Sequence, residues 1–126
     1  MKSFRSFTIA LAAVVLCLSS GCALMERGAE GGFVHFFVVP KTMPDGSSAK
    51  EQMDALKVWL CDKAGGYTEL PDAPGGWMNH QGGLETSDQH AFLVSAPANM
   101  KDEITAYVKK EFAETDPYVM VWKAEK

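Results

Sequence analysis

Histidines are the side chains in this chain of 126 residues that are best suited to chemistry, and two of the three lie in runs that predict strands. His35 is part of FVHFFVV and His90 is part of QHAFLVS. Together with Met120 they offer nitrogen and sulfur ligands that a soft metal ion or haem iron accepts. No His-x-His, His-x₃-His or Cys-x₂-Cys spacing accompanies them. The pattern therefore favours structural or surface histidines and predicts no metal site.

Trp77 is the candidate recognition residue outside the predicted helices. It follows Gly75 and Gly76, and glycine allows a ligand or another backbone to approach closely. The alternative is that Trp77 caps the hydrophobic core. The chain has no Gly-x-Ser-x-Gly motif, no phosphate-cradling loop and no nucleophile–base pair. The sequence therefore predicts no catalytic residue.

The N-terminus has the features of an export signal. Lys2 and Arg5 supply a positive start, and residues 7–18 are apolar apart from Thr8. This run is shorter than the ~20 residues that a transmembrane helix needs, whereas its length and flanks are typical of a cleavable signal peptide. We expect residues 1–21 to be removed.

The end of this segment, Ser20-Gly21-Cys22 with Leu18 upstream, resembles the lipobox of bacterial lipoproteins. In that family the cysteine thiolate takes a diacylglyceryl group, the signal is cut before the cysteine, and the new amino terminus is acylated. The resemblance implies lipidation of Cys22, with fatty acids such as palmitate. Ordinary cleavage after small residues is the alternative, and it would leave Cys22 as a free thiol.

The same resemblance implies a location. Ala23 follows Cys22, whereas aspartate at this position marks inner-membrane retention in some lipoproteins. We therefore expect an outer-membrane lipoprotein that faces the periplasm, with the bilayer as its partner and residues 22–32 as a tether. Without the signal, ten basic residues face sixteen acidic ones, which argues against a nucleic-acid partner. Cys61 is then the one thiol left, either inert or available for an intermolecular disulfide.

Residues 33–126 predict a single α+β domain. Strands are expected at 33–39, 67–70, 77–79, 84–95 and 118–122, and helices from about Ser48 to Ala64 and from Asn99 to before Pro117. The order is β-α-β-β-α-β, with residues 71–87 as a long hairpin. Right-handed crossovers then favour a ferredoxin-like plait, in which a four-stranded antiparallel sheet carries both helices on one face.

Three glycine clusters follow the first predicted helix: Gly65-Gly66-Tyr67-Thr68, Gly75-Gly76-Trp77 and Gly82-Gly83-Leu84. This progression resembles a family of small bacterial ferredoxin-like domains of unknown function, some of them exported, which show a Gly-x-Thr, Gly-x-Trp, Gly-x-Leu pattern. The likeness covers most of residues 33–123. It implies the same fold and supplies no activity.

Side chains alternate along a strand, and each predicted strand has a mainly aliphatic face and a face that carries aromatic, histidine or methionine side chains. We assign the aliphatic face to the helices and expect the other face to be open. With Trp77, the residues of that second face form the candidate ligand or partner surface: Phe33, His35, Phe37, Trp77, His90, Phe92, Tyr118, Met120 and Trp122.

An open apolar face of several hundred Å² needs an explanation, and three are available. In the first, residues 71–87 fold over it or the residual exposure is simply tolerated. In the second, two domains pack through it as a symmetric homodimer, and in the third it binds a ligand. Aromatic side chains on a sheet also occur in RNA-binding domains, which the acidic composition opposes. We therefore expect a non-enzymatic binding or self-association module without a cofactor. The alternative is an envelope enzyme resembling the dimeric ferredoxin-like monooxygenases that act on haem or small aromatics.

Overall fold

The computed structural model describes residues 31–125. The predicted signal peptide, the lipobox with Cys22 and most of the tether lie outside these residues. The elements are β1 (Gly32–Pro40), α1 (Lys50–Ala64), β2 (Thr68–Leu70), β3 (Gly75–Met78), β4 (Leu84–Ser87), β5 (Gln89–Ala96), α2 (Lys101–Phe112) and β6 (Val119–Ala124). Within the described residues, no helix is both long and apolar enough to cross a membrane.

Four strands form one sheet in the order β2-β5-β1-β6, and each neighbouring pair is antiparallel. Helix α1 packs against β5, and α2 packs against β1 and β6. The buried side chains of both helices meet the same face of the sheet. The predicted ferredoxin-like plait is confirmed.

The segment between β2 and β5 differs from the prediction of one continuous hairpin. Strands β3 and β4 pair with each other in a separate two-stranded sheet. Pro71 directly follows β2, and proline has no N–H to donate to a ladder, so regular pairing stops there. The N–H of Ala73 still donates to the carbonyl of Gln89 at 3.0 Å, which ties the base of the β3–β4 hairpin to β5.

Local signals set the starts of both helices and the end of α1 near the positions that the sequence predicts. Helix α2 ends earlier than expected, at Phe112, because Ala113 takes a left-handed conformation with a φ of 54°. The Ser48 hydroxyl accepts a hydrogen bond from the N–H of Lys50, and the Asn99 side chain accepts one from the N–H of Lys101. Helix α1 ends at Gly65, which has a φ of 84° and donates its N–H to the carbonyl of Cys61 at 3.0 Å. Glycine adopts this left-handed conformation without steric cost.

The core lies between the helices and the sheet. Its buried members from the helices recur at helical spacing and are Met53, Leu56, Leu60, Ile104, Val108 and Phe112. From the sheet, Phe37 and Phe92 stack with their ring centroids 5.4 Å apart. The rings of Trp59 and Tyr107 stack 4.5 Å apart and join α1 to α2.

The assignment of faces was wrong for β1 and β5. His35, Phe37, Phe92 and, partly, His90 lie beneath the helices, where Phe33 also points by alternation. The reason is the strand register, which places Phe37 opposite both Phe92 and Val119. The aromatic face of β1 therefore shares a side with the aliphatic face of β6.

For β6 the assignment was correct. Val119 is buried beneath the helices, whereas Tyr118, Met120 and Trp122 are exposed on the other side. The nine residues proposed as one surface are thus divided between the core and the outside of the sheet. Sorting side chains by chemical type within each strand did not identify the face that the helices cover.

Candidate functional site

The sheet face away from the helices is uncharged throughout. Alternation and register assign to it, within the described residues, the side chains of Val34, Phe36, Val38, Pro40, Thr68, Leu70, Gln89, Ala91, Leu93, Ser95, Met120, Trp122 and Ala124. We call this set the open face. Leu70, Met120 and Trp122 are 45%, 46% and 44% exposed. Large apolar side chains therefore stand in solvent at both edges of the sheet.

Tyr118 borders the open face beside β6. Its ring meets that of Phe36 edge to face at 6.4 Å, and its hydroxyl donates to the sulfur of Met120 at 2.9 Å. These contacts place an aromatic ring, a thioether and a phenol hydroxyl next to Trp122. Together these side chains form a surface of apolar and polar groups that is suited to packing against another protein.

The β3–β4 hairpin leaves the part of the open face around Tyr118, Met120 and Trp122 uncovered. Its base lies at the start of β5, where a Cβ added to Gly75 would come 2.7 Å from the side-chain oxygen of Gln89. Its own large apolar side chains, Trp77, Met78 and Leu84, are exposed. Trp77 is therefore a surface residue rather than a cap on the core, and its role in recognition stays a prediction.

His35 is a structural residue, fully buried beneath the helices. The N–H of Met100 donates to Nε2 at 2.9 Å, so that nitrogen carries no proton and Nδ1 donates to the carbonyl of Val94 at 3.1 Å. Both ring nitrogens are occupied, and none is left for a metal or haem ligand. His35 is therefore not available as a haem ligand for the enzyme that the sequence offered as an alternative.

The structure also separates the predicted ligand set of His35, His90 and Met120. His90 lies opposite Val39, four residues along β1 from His35, a distance of about 13 Å. Met120 is on the other side of the sheet. Among residues 31–125, no group of three or more His, Cys, Asp or Glu side chains is placed to hold a metal ion.

His90 belongs instead to a charged cluster at the edge between α1 and β2. Glu69 uses its two oxygens for two partners: Oε2 is 2.8 Å from Nζ of Lys57, and Oε1 is 2.7 Å from Nδ1 of His90. Because Glu69 pairs with Phe92 across the ladder, its side chain points to the helix side of the sheet. The cluster therefore joins α1, β2 and β5.

The electrostatics of this cluster favour the ionised carboxylate. Burial by itself raises the pKa of Glu69, but the hydrogen bonds from Lys57 and His90 outweigh it, and the pKa lies below the ordinary value of 4.5. The hydrogen bond to Glu69 likewise raises the pKa of the Lys57 ammonium. Both groups are charged at neutral pH.

A pocket of about 380 Å³ opens beside the cluster. Its lining residues come from the end of β1, the start and first turns of α1, and β5: Lys41, Ser48, Ala49, Lys50, Met53, Asp54, Lys57 and His90. Sequence reasoning named His90 but missed Lys57 and Glu69. They are 12 residues apart, in different elements, and no spacing motif connects them.

Comparisons with known proteins identify the fold. No protein-family model matches the chain, and no curated protein matches it. Among solved structures, the periplasmic divalent cation tolerance protein CutA from Archaeoglobus fulgidus has a TM-score of 0.57 at 16% identity, over 76% of this chain and 85% of that one. CutA from Xylella fastidiosa gives 0.55 at 16% identity, over 72% and 81%.

A phage SAM lyase in complex with S-methyl-5′-thioadenosine gives a TM-score of 0.52 at 17% identity, over 80% of this chain and 88% of the lyase. A tolerance protein and a lyase thus share this architecture. At such identities the likeness concerns the fold, and the chain is an α+β domain with the ferredoxin-like arrangement of these structures.

Proposed function

We propose that this protein is a lipid-anchored envelope protein that works by self-association through the open face rather than by catalysis. The observation that carries the proposal is a sheet face that is apolar, uncharged and partly exposed, with Leu70, Met120 and Trp122 at its edges. The occupant that we assign to this face is a second copy of the chain, with a homodimer as the simplest form.

The exposed apolar area of the open face is large enough to contribute to a protein–protein interface. Leu70, Met120, Trp122 and Tyr118 are 45%, 46%, 44% and 56% exposed. With about 200 Å² for each large side chain, they present roughly 400 Å². This total, divided between the two edges of the sheet, is about half of one partner's share of a standard interface. Half-buried neighbours such as Phe36 and Leu93 add to it.

Charge supports a second copy as the partner. Without the signal the chain has ten basic and sixteen acidic residues, a formal net charge of −6, and two like-charged molecules repel each other where their charges meet. Packing of two open faces brings no charged side chains together, because the strand positions of this face carry no ionisable side chain apart from the phenol of the bordering Tyr118. The free energy gained by burying apolar side chains at this face is therefore opposed by little electrostatic repulsion or desolvation of charges.

The envelope location is supported by sequence. The Ser20-Gly21-Cys22 lipobox and the preceding apolar segment favour export and acylation at Cys22. One protein of the same fold, the CutA from Archaeoglobus fulgidus, is described as periplasmic. Two or three acyl chains at Cys22 would anchor the domain firmly, since each buried CH₂ contributes about 0.8 kcal/mol.

Sedimentation velocity on the purified full chain in a non-ionic detergent tests self-association. We expect an oligomer for the wild type and a shift to monomer for Leu70→Lys and Met120→Lys, because each places a charge in the buried interface. Val58→Lys is the matched control, since Val58 is 71% exposed on α1, away from the open face. A monomeric wild type, or an unchanged oligomer in both open-face variants, would show that the proposal is wrong.

Mass spectrometry of the mature protein from the membrane fraction tests the anchor. We expect a chain that begins at Cys22 and carries the added mass of a diacylglyceryl group and an amide-linked acyl chain. Cys22→Ser should abolish the added mass. A wild-type chain that begins at an unmodified Cys22 would refute lipidation and leave the self-association proposal intact.

A further inference from the structure

We propose that the pocket between α1 and the edge of the sheet binds a small organic phosphate, held by Lys57 and His90. This site is on the helix side of the sheet, opposite the open face, and is independent of self-association. The inference rests on the arrangement of Lys57 and His90 around Glu69 and on the lining of the pocket.

Glu69 holds both proposed ligands in place. Its oxygens accept from Lys57 at 2.8 Å and from His90 at 2.7 Å, so neither side chain has to be ordered when a ligand arrives. The carboxylate engages Nδ1 of His90, and within the described residues no hydrogen bond occupies Nε2. His90 is among the residues that line the pocket, and a histidine held through one ring nitrogen keeps the other for a ligand.

Two further lysines line the same pocket, and each forms an ion pair with a solvent-exposed aspartate. Lys41 pairs with Asp72 at 2.6 Å, and Lys50 pairs with Asp54 at 2.6 Å. The side chains of Asp72 and Asp54 are 86% and 58% exposed, against 19% for Glu69. Exposed pairs of this kind contribute little free energy, so an incoming phosphate can take over these ammonium groups while Glu69 keeps its partners.

The remaining lining selects an organic phosphate rather than a bare ion. Of the remaining lining residues, Ala49 and Met53 are apolar, Ser48 is polar, and Asp54 is the carboxylate that pairs with Lys50. The pocket volume of about 380 Å³ lies in the range of small-molecule sites, which are about 300–1,000 Å³. A phosphate group bonded to a small apolar or aromatic body satisfies both parts of the lining.

Isothermal titration of the purified full chain in a non-ionic detergent, with phenyl phosphate and inorganic phosphate as probes, tests the site. We expect saturable binding of phenyl phosphate, with weaker binding of inorganic phosphate because it lacks the apolar body. Lys57→Met should weaken phenyl phosphate binding about tenfold or more, since it removes a charge-assisted hydrogen bond. Glu69→Gln should also weaken phenyl phosphate binding, because it removes the carboxylate that holds Lys57 and His90 in place.

The matched control is Lys63→Met, which removes an exposed lysine from the last turn of α1, away from the pocket. Its affinity should equal that of the wild type. The absence of saturable binding, or equal affinities for the Lys57 and Lys63 variants, would overturn the proposal. Thermal unfolding of each variant without ligand shows whether it is folded, and Glu69→Gln gives a second reading if Lys57→Met is not.

Discussion

Replacement of His35 by alanine is the most informative change in the core. His35 joins three segments: it belongs to β1, its Nδ1 donates to Val94 in β5, and its Nε2 accepts the N–H of Met100 at the start of α2. The side chain is completely buried. We therefore expect a loss of stability that a surface-exposed or ligand-binding histidine would not produce.

The magnitude follows from two effects. Removing a buried ring leaves a cavity, and large-to-alanine changes of this kind cost about 2–5 kcal/mol. The N–H of Met100 also loses its acceptor in a buried position, which costs about 1–3 kcal/mol. Partial relaxation of the site and entry of water reduce the sum, so His35→Ala should lower the free energy of unfolding by about 3–5 kcal/mol. Domains of this size are stable by roughly 5–15 kcal/mol.

Urea unfolding followed by circular dichroism measures this change. His80→Ala is the control, because His80 lies exposed in the β3–β4 turn and should change stability by less than about 0.5 kcal/mol. His35→Gln should fall between the two, since the glutamine oxygen can still accept the N–H of Met100. A loss below about 1 kcal/mol for His35→Ala would refute the structural role and return His35 to the candidate ligands.

Three further predictions concern other contacts. The pKa of Glu69 lies below 4.5, so the ionised carboxylate stabilises the fold fully above that pH, and this contribution is lost as the pH falls through the lower pKa of the folded state. In urea unfolding at several pH values, the stability difference between wild type and Glu69→Gln should therefore be constant near neutral pH and shrink below about 4.5; a difference that grows on acidification would contradict this sign. Gly65→Ala should cost about 1 kcal/mol because Gly65 has a φ of 84°, whereas Gly66→Ala, at a position with open space and no positive φ, should cost less than about 0.5 kcal/mol; equal losses would refute the strain argument. A double-mutant cycle on Trp59 and Tyr107, whose rings stack at 4.5 Å, should give a coupling free energy of about 0.5–1.5 kcal/mol, and additive losses would show that the stacking contributes nothing.

The helices illustrate what local pattern predicts well. Met53, Leu56 and Leu60 recur at helical spacing and all three are buried. Gly65 follows the last turn as a C-terminal signal requires. Such features depend on residues within one or two turns of each other, so periodicity and chain order together led to the correct α+β plait.

The faces of the sheet illustrate what local pattern does not predict. Alternation divides β1 into two sets, but both sets are apolar enough to be buried. The register, which aligns Phe37 with Phe92 and Val119, decides which set meets the helices. Register is a property of pairs of strands that are far apart in the chain, and the sequence of one strand does not contain it.

The pocket is a further case of this kind. Lys57, Glu69 and His90 lie on α1, β2 and β5, and only the packing of α1 beside the sheet edge brings Nζ of Lys57 and Nδ1 of His90 within 3 Å of the Glu69 carboxylate. The sequence by itself determined most of the elements, their order and the plait, because these depend on neighbouring residues, whereas the lipobox at Cys22 stays a prediction. The tertiary structure decided that His35 is a core residue, that Met120 and Trp122 face outward, and that Glu69 joins a lysine to a histidine, because each of these outcomes depends on which distant segments pack together.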